Sequence, residues 1–151
     1  MFDFDLYPFA QQLKTKLIAG KMGLFDPTRK VFTAATPEEI VRQALIMKLN
    51  VDFSVPIALM MTERAIKVGK LRRRVDLIVY NRRAQAILIA ETKAPTVILS
   101  QQVADQIAVY NSAIFAPGLL LANGTQGMYF KIDFEQKSAI PEQYMPEIIL
   151  D

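Results

Sequence analysis

An apolar run, Ala86-Ile87-Leu88-Ile89-Ala90, closes on the charged triplet Glu91-Thr92-Lys93, fifteen residues after Asp76. No other stretch constrains the fold as tightly. A short apolar run of this kind reads as a strand whose residues are buried. Residues two apart in a strand point to the same side, so Glu91 and Lys93 share a face at the strand's end. Burying a carboxylate and an ammonium there is costly unless each is paired or a metal is held. Asp76 opens the preceding apolar segment. Two carboxylates and a lysine converging at strand ends can bind a divalent cation and activate a water.

The remaining composition narrows the chemistry. The chain has no histidine and no cysteine, which removes histidine acid–base catalysis, thiolate metal sites and disulfides. Catalysis would run on carboxylates, lysine, tyrosine or a hard metal. At 151 residues and 52% hydrophobic content one domain with its own core is expected. No apolar stretch approaches the ~18 residues of a spanning helix, and Met1-Phe2-Asp3-Phe4-Asp5 lacks the layout of a signal peptide. A cytoplasmic protein with no membrane partner is therefore expected, and Asn123-Gly124-Thr125 is read as a chance sequon. Net charge is only +3, yet residues 64–83 carry eight basic side chains against Asp76 alone. Within that segment Lys70, Arg72, Arg73, Arg74, Arg82 and Arg83 are candidates for phosphate contact. The competing reading is a set of solvated hairpin charges that guard a sheet edge.

Turn signals at Gly20, Gly23 and Asp26-Pro27 suggest that residues 1–30 form an irregular arm, anchored by Phe2, Phe4, Tyr7 and Phe9. Thr36-Pro37-Glu38-Glu39 predicts a helix start, with Glu39 completing a capping box. Ile40, Val41, Ala44, Leu45 and Leu49 follow at helical spacing, and Asn50 is a stop. Arg42 and Gln43 are read as solvated or packed on the sheet. Three extended segments come next, Ile57 to Val68, Arg74 to Tyr80 and Ala86 to Lys93, joined by turns as an antiparallel meander. In the second, Val75, Leu77 and Val79 oppose Asp76, Ile78 and Tyr80. A helix from near Ser100, with Val103, Ile107, Tyr110 and Ile114 as its apolar stripe, leads to short strands at Leu119–Ala122 and Met128–Phe134. A helix between Lys93 and Leu119 suits a crossover to a parallel neighbour. The expected fold is α/β: one domain with a mixed sheet flanked by helices, and residues 138–151 as a surface strap.

Asp76 followed by Glu91-Thr92-Lys93 on successive strands resembles the PD-(D/E)XK nuclease superfamily. The closer resemblance is to the N-terminal domain of type I restriction enzyme R subunits, especially short stand-alone members in Bacteroidetes. Matching pieces are Val41-Arg42-Gln43, Glu63, Arg74-Val75-Asp76 with Val79-Tyr80, Glu91-Thr92-Lys93-Ala94-Pro95, Gln106 with Tyr110-Asn111, and Asn123-Gly124. The resemblance implies a restriction-endonuclease-like core over residues 31–137 and a metal-dependent DNA phosphodiesterase activity. It implies that Asp76 and Glu91 hold Mg²⁺ or Mn²⁺, with Thr92 supplying its carbonyl. Glu63 would be a further ligand or an orienting group. Lys93 would act on the attacking water and the phosphorane, and Gln106 and Tyr110 would position Lys93 or a phosphate. DNA and other restriction or repair subunits are the implied partners. Val75 stands where the superfamily name has proline. Ala44 leaves the first helix without an acidic residue after Gln43, which argues against a second metal. No G-x-x-x-x-G-K-[ST] occurs, so ATP-driven translocation does not reside in these residues.

Plainer readings stand beside these. Glu91 and Lys93 could form a simple ion pair with Asp76 serving Arg72 or Arg74. Gln106 and Tyr110 could edge the core, and Glu63 could pair with Arg64 at the surface. At the level of function the alternatives to a nuclease are a catalytically inactive nucleic-acid-binding module and a protein-interaction module on the same fold.

Overall fold

Thr36 accepts a hydrogen bond from the Glu39 backbone N–H at 3.1 Å and Pro37 occupies the first turn. With both signals in place the chain enters helix α2, Pro37–Asp52, three residues beyond the expected end. The capping box is half formed. The Thr36 N–H donates to Ala34 O, and the Glu39 carboxylate turns instead toward Thr33, Arg42 and Gln43.

The computed structural model describes residues 1–151. The elements before α2 are β1 (Phe2–Asp3), α1 (Tyr7–Ala10), β2 (Thr15–Ile18), β3 (Lys21–Asp26) and β4 (Val31–Ala34). After it come β5 (Met60–Val68), β6 (Leu71–Tyr80), β7 (Ala86–Thr92), α3 (Gln101–Tyr110), β8 (Gly118–Ala122), β9 (Gln126–Asp133) and β10 (Ser138–Glu142). The main sheet has seven strands in the order β1-β9-β8-β7-β6-β5, with β10 also pairing β9. β5, β6 and β7 form the expected antiparallel meander. After α3 the chain returns as β8, parallel to β7, with Thr92 opposite Ala122. The result is a mixed sheet flanked by helices.

Two cores cover the sheet's faces. Leu45, Leu49, Leu77, Val79, Leu88 and Ala90 pack on the α2 side. Ile78, Ile89, Ala104, Ala108, Leu119 and Phe130 pack on the α3 side. In α3 the fully buried positions are Ala104 and Ala108, while Val103, Ile107, Tyr110 and Ile114 flank them half-buried. Small residues at the centre of that face let the helix approach the sheet closely.

Residues 1–30 are not irregular. β2, β3 and β4 make a separate three-stranded antiparallel sheet, turning at Ala19-Gly20 with positive φ at both positions, as a two-residue hairpin requires. Phe4 and Leu6 are the buried anchors, whereas Tyr7 is 65% exposed. The C-terminal segment is not only a strap, since Ser138–Glu142 adds a strand along β9.

The simple alternation expected in β6 also breaks. Leu77 and Val79 lie in the α2-side core, but Val75 lies in the α3-side core. Its partner β5 changes face likewise, from Met60 on the α2 side to Ile66 on the α3 side. The register of the two strands is unbroken across this point, so both turn together and the alternation reverses in both. Between the two halves stand Glu63 and Asp76, flanked by the pairs Thr62–Leu77 and Arg64–Val75. Glu63 has φ 56°, a left-handed conformation that is uncommon for a non-glycine residue inside a strand.

Candidate active site

The change of face puts Asp76 under the first turns of α2. Its Oδ2 accepts from the Thr92 N–H at 2.9 Å and the Thr92 hydroxyl at 3.2 Å. Its Oδ1 lies 3.7 Å from Arg42 Nη1. Arg42 is buried and also pairs with Glu39 and Glu63. The other Glu63 oxygen receives Arg74 at 3.1 Å. Asp76 therefore serves neither Arg72 nor Arg74, and the partners of Glu63 are Arg42 and Arg74 rather than Arg64. At the end of β7, Lys93 Nζ sits 3.6 Å from Glu91 Oε1, as two residues on one strand face should. A cleft of ≈ 530 Å³ opens here, between the α2 N-terminus (Glu38, Glu39, Arg42), the strands (Glu63, Asp76) and Ala94.

The electrostatics divide these acids into two kinds. Burial works to raise the pKa of Glu63, but Arg42 and Arg74 outweigh it and hold the carboxyl below its ordinary value. Glu91 goes the other way. Burial, then the charge of Asp76, push its pKa up to about 8 against the partial relief from Lys93. Asp76 is also raised, by burial above all, in spite of Thr92 and Arg42. Glu38 at the cleft's rim is raised by burial and by Asp76. Asp76 and Glu91 thus form a pair of half-buried carboxylates whose charge Arg42 and Lys93 offset only in part, the condition a bound cation relieves.

A donor set of two carboxylates fits Mg²⁺ or Mn²⁺ better than a cation that needs a complete protein cage. Mg²⁺ is usually held by one or two carboxylates, waters and substrate phosphates. No group of three or more acidic side chains is poised as such a cage. Glu63, with both oxygens on arginines, stands here as an orienting group for Arg42. What the structure assigns to Thr92 is its N–H and hydroxyl, which fix one oxygen of Asp76 while the other lies beside Arg42.

The other candidates are dispersed. Lys93 is held by Glu91 rather than by Gln106 or Tyr110. Gln106 is exposed on α3, and the Tyr110 ring carries the Arg73 guanidinium 4.2 Å from its centroid. Lys70, Arg72, Arg73 and Arg74 are exposed on the β5–β6 hairpin, at the end of the sheet where β7 delivers Glu91. Arg82 and Arg83 lie in the β6–β7 turn at the opposite end, Arg82 beside the C-terminal Leu150. Six residues of strand beyond Asp76 amount to ~20 Å, so the basic segment is not one patch.

Sequence reasoning missed Arg42. Both it and Gln43 are buried rather than solvated, because β3 and β4 cover a flank of α2 that helical periodicity marks as outside. The signal available was Glu39 three residues before Arg42, a helical ion-pair spacing. Asn123 is a second support. Its side chain donates to Val97 O at 2.9 Å and accepts from the Thr125 and Gln126 N–H groups, tying the loop after Lys93 to the end of β8.

Residues 37–148 match the family model described as type I restriction enzyme R protein N terminus. That span covers α2, all of β5–β10 and every candidate site residue. No curated protein matches the chain.

Proposed function

This chain belongs to the type I restriction enzyme R protein N-terminal family, and on that premise we propose that it is a metal-dependent DNA phosphodiesterase domain of endonuclease type. The observation that carries the reading is the half-buried pair Asp76 and Glu91, both raised in pKa, with Lys93 at 3.6 Å from Glu91 and Asp76 lining an open cleft. Other subunits of a restriction or repair system are the partners the family suggests.

Asp76 and Glu91 would hold Mg²⁺ or Mn²⁺. A divalent cation there acidifies a bound water and polarises the phosphate under attack. Thr92 keeps Asp76 oriented by two hydrogen bonds to one oxygen. Arg42, tied to Glu39 and Glu63, holds a fixed positive charge behind Asp76. Lys93 supplies a preorganised cation for negative charge that develops on the phosphorane, so its contribution belongs to turnover more than to binding. Arg72, Arg73 and Arg74 on the adjoining hairpin present charge to the backbone of a duplex without reading its sequence.

Cleavage of supercoiled plasmid with Mg²⁺ or Mn²⁺, comparing wild type with Lys93→Ala, tests this. Loss of a preorganised charge costs ~3–4 kcal/mol, roughly a hundredfold to a thousandfold in rate, while metal binding is retained. Equal nicking by the two proteins would refute the assignment.

One observation favours a second reading, an inactive nucleic-acid-binding or protein-interaction module on the same fold. Arg42 already supplies positive charge to Asp76, so the acids are partly balanced without a metal. Duplex binding without metal-dependent cleavage by wild type would select the nucleic-acid-binding form of it.

A further inference from the structure

Between Asp5 and Glu38 the chain has one acidic residue, Asp26, and five basic ones, Lys14, Lys16, Lys21, Arg29 and Lys30. Asp26 adds no surface charge. It is fully buried, with Arg29 Nε 3.0 Å from its Oδ2. The small sheet is thus uniformly basic outside, and it lies before the residues that the family model matches.

Its outer part is a free ribbon. Every residue from Lys14 to Met22 is exposed, including Leu17 at 69%, Ile18 at 46% and Met22 at 53%. Leu17 and Met22 pair across the ribbon on one face, while Lys16, Ile18 and Lys21 lie on the other. Lys14 Nζ and Lys16 Nζ lie over the rings of Phe25 and Phe32 at 4.8 and 5.6 Å, cation–π contacts that hold both ammonium groups on one face of the ribbon.

The ribbon's base is riveted to the cleft. Thr62, next to Glu63, donates to Asp26 at 2.8 Å and is 2.8 Å from the Thr28 hydroxyl. Thr33 donates to Glu39, on the cleft wall, at 3.1 Å. Lysines neutralise phosphates, and three on one face of a projecting ribbon meet a single stretch of duplex backbone. A second copy is a poor occupant, because two such ribbons would bring like charges together.

We propose that the β2–β3 ribbon is a second contact for duplex DNA beside the cleft, with Lys14, Lys16 and Lys21, which share one face of the ribbon, on phosphates. The proposal rests on the reading of the chain as a DNA-acting domain. The ribbon would hold one flank of the duplex while the β5–β6 hairpin holds the other, so that the strand between them crosses Asp76 and Glu91.

Fluorescence anisotropy of a short labelled duplex, titrated with the full chain in EDTA at several salt concentrations, tests it. Replacing Lys14, Lys16 and Lys21 with Gln should flatten the slope of log K against log salt by about 0.9 per lost phosphate contact. The corresponding Lys→Arg variant should keep the slope, and Lys21→Gln, which disturbs no ring contact, should lose about one contact's share. Leu17→Ser with Met22→Ser should leave affinity and slope unchanged, because both side chains lie on the face away from the lysines. Thermal melts confirm folding of each variant. If the ribbon variants bind as wild type does while Arg72→Ala, Arg73→Ala and Arg74→Ala together weaken binding, the ribbon is not a DNA contact and the DNA-acting reading survives. If wild type binds no duplex at any salt, both fall. If the Ser variants weaken duplex binding as much as the Gln variants do, the lysine face is not the contact and the proposal is overturned.

Discussion

Arg42 Nη1 stands 3.7 Å from Asp76 Oδ1, and the same guanidinium also pairs with Glu39 and Glu63. One cation on the first turns of α2 therefore balances carboxylates on its own helix, on β5 and on β6. Burial works to lower its pKa, yet Glu63 and Glu39 raise it above the ordinary value, so it stays charged at any working pH. Removing one member of a buried ionic group leaves the others uncompensated, at a cost of about 3–5 kcal/mol. Arg42→Ala should lower the urea midpoint accordingly. Arg42→Lys should recover only part of that, because an ammonium lacks the planar fork that reaches several acids at once. A midpoint for Arg42→Ala equal to wild type would show that the cluster contributes nothing to the fold.

Asp76→Asn separates metal binding from folding. A cation that binds only the folded state stabilises it by mass action, about 2.7 kcal/mol at a hundred times Kd. Wild type should therefore melt at higher temperature in Mg²⁺ or Mn²⁺. Asp76→Asn should keep the metal-free fold, since the amide oxygen still accepts from Thr92, Arg42 keeps Glu39 and Glu63 as partners and repulsion with Glu91 is removed, and should lose the metal-dependent rise. An identical rise in both proteins would place the ion elsewhere.

The hairpin arginines should act through charge alone. Arg72→Ala, Arg73→Ala and Arg74→Ala together should weaken binding to all duplexes alike and flatten the salt slope by about 0.9 for each lost phosphate contact. Arg82→Ala with Arg83→Ala, at the far end of the sheet, should leave the slope unchanged. Equal losses from the two sets would mean that a duplex spans the whole sheet.

Asp26 sets a limit on acid stability. Burial works to raise its pKa, but hydrogen bonds from Thr28, Thr62 and Arg29 outweigh this and hold it below the ordinary carboxylate value. A carboxyl depressed in the folded state stabilises the fold fully above its unfolded pKa, and that share is lost as pH falls through the folded value. Asp26→Asn should thus lower stability at neutral pH and flatten the decline below about pH 4, as read by chemical denaturation across pH. A mutant curve parallel to wild type through that range would contradict the assignment.

The local signals in the sequence were sufficient wherever the physics is local. Thr36-Pro37 and Ser100 mark the starts of α2 and α3 because a cap needs only nearby backbone N–H groups. The apolar runs around Ile78, Ile89 and Leu120 identify central strands, and the helix after Lys93 makes β8 parallel to β7. The two-residue step from Glu91 to Lys93 places both on one face. The family was legible too, since Asp76 and Glu91-Thr92-Lys93 occupy one spacing along the chain. Tertiary structure alone decided the rest. Strand β2 is exposed throughout, so it carries no alternation by which to recognise it. Arg42 is buried because a second sheet lies against α2, a contact that no helical period encodes. The change of face at Glu63 and Asp76 involves two paired strands at once, and it turns Asp76 toward Arg42 and Thr92. Periodicity reports what a residue does with its neighbours in sequence, whereas the charge balance of this cleft comes from α2, β5, β6 and β7 meeting in space.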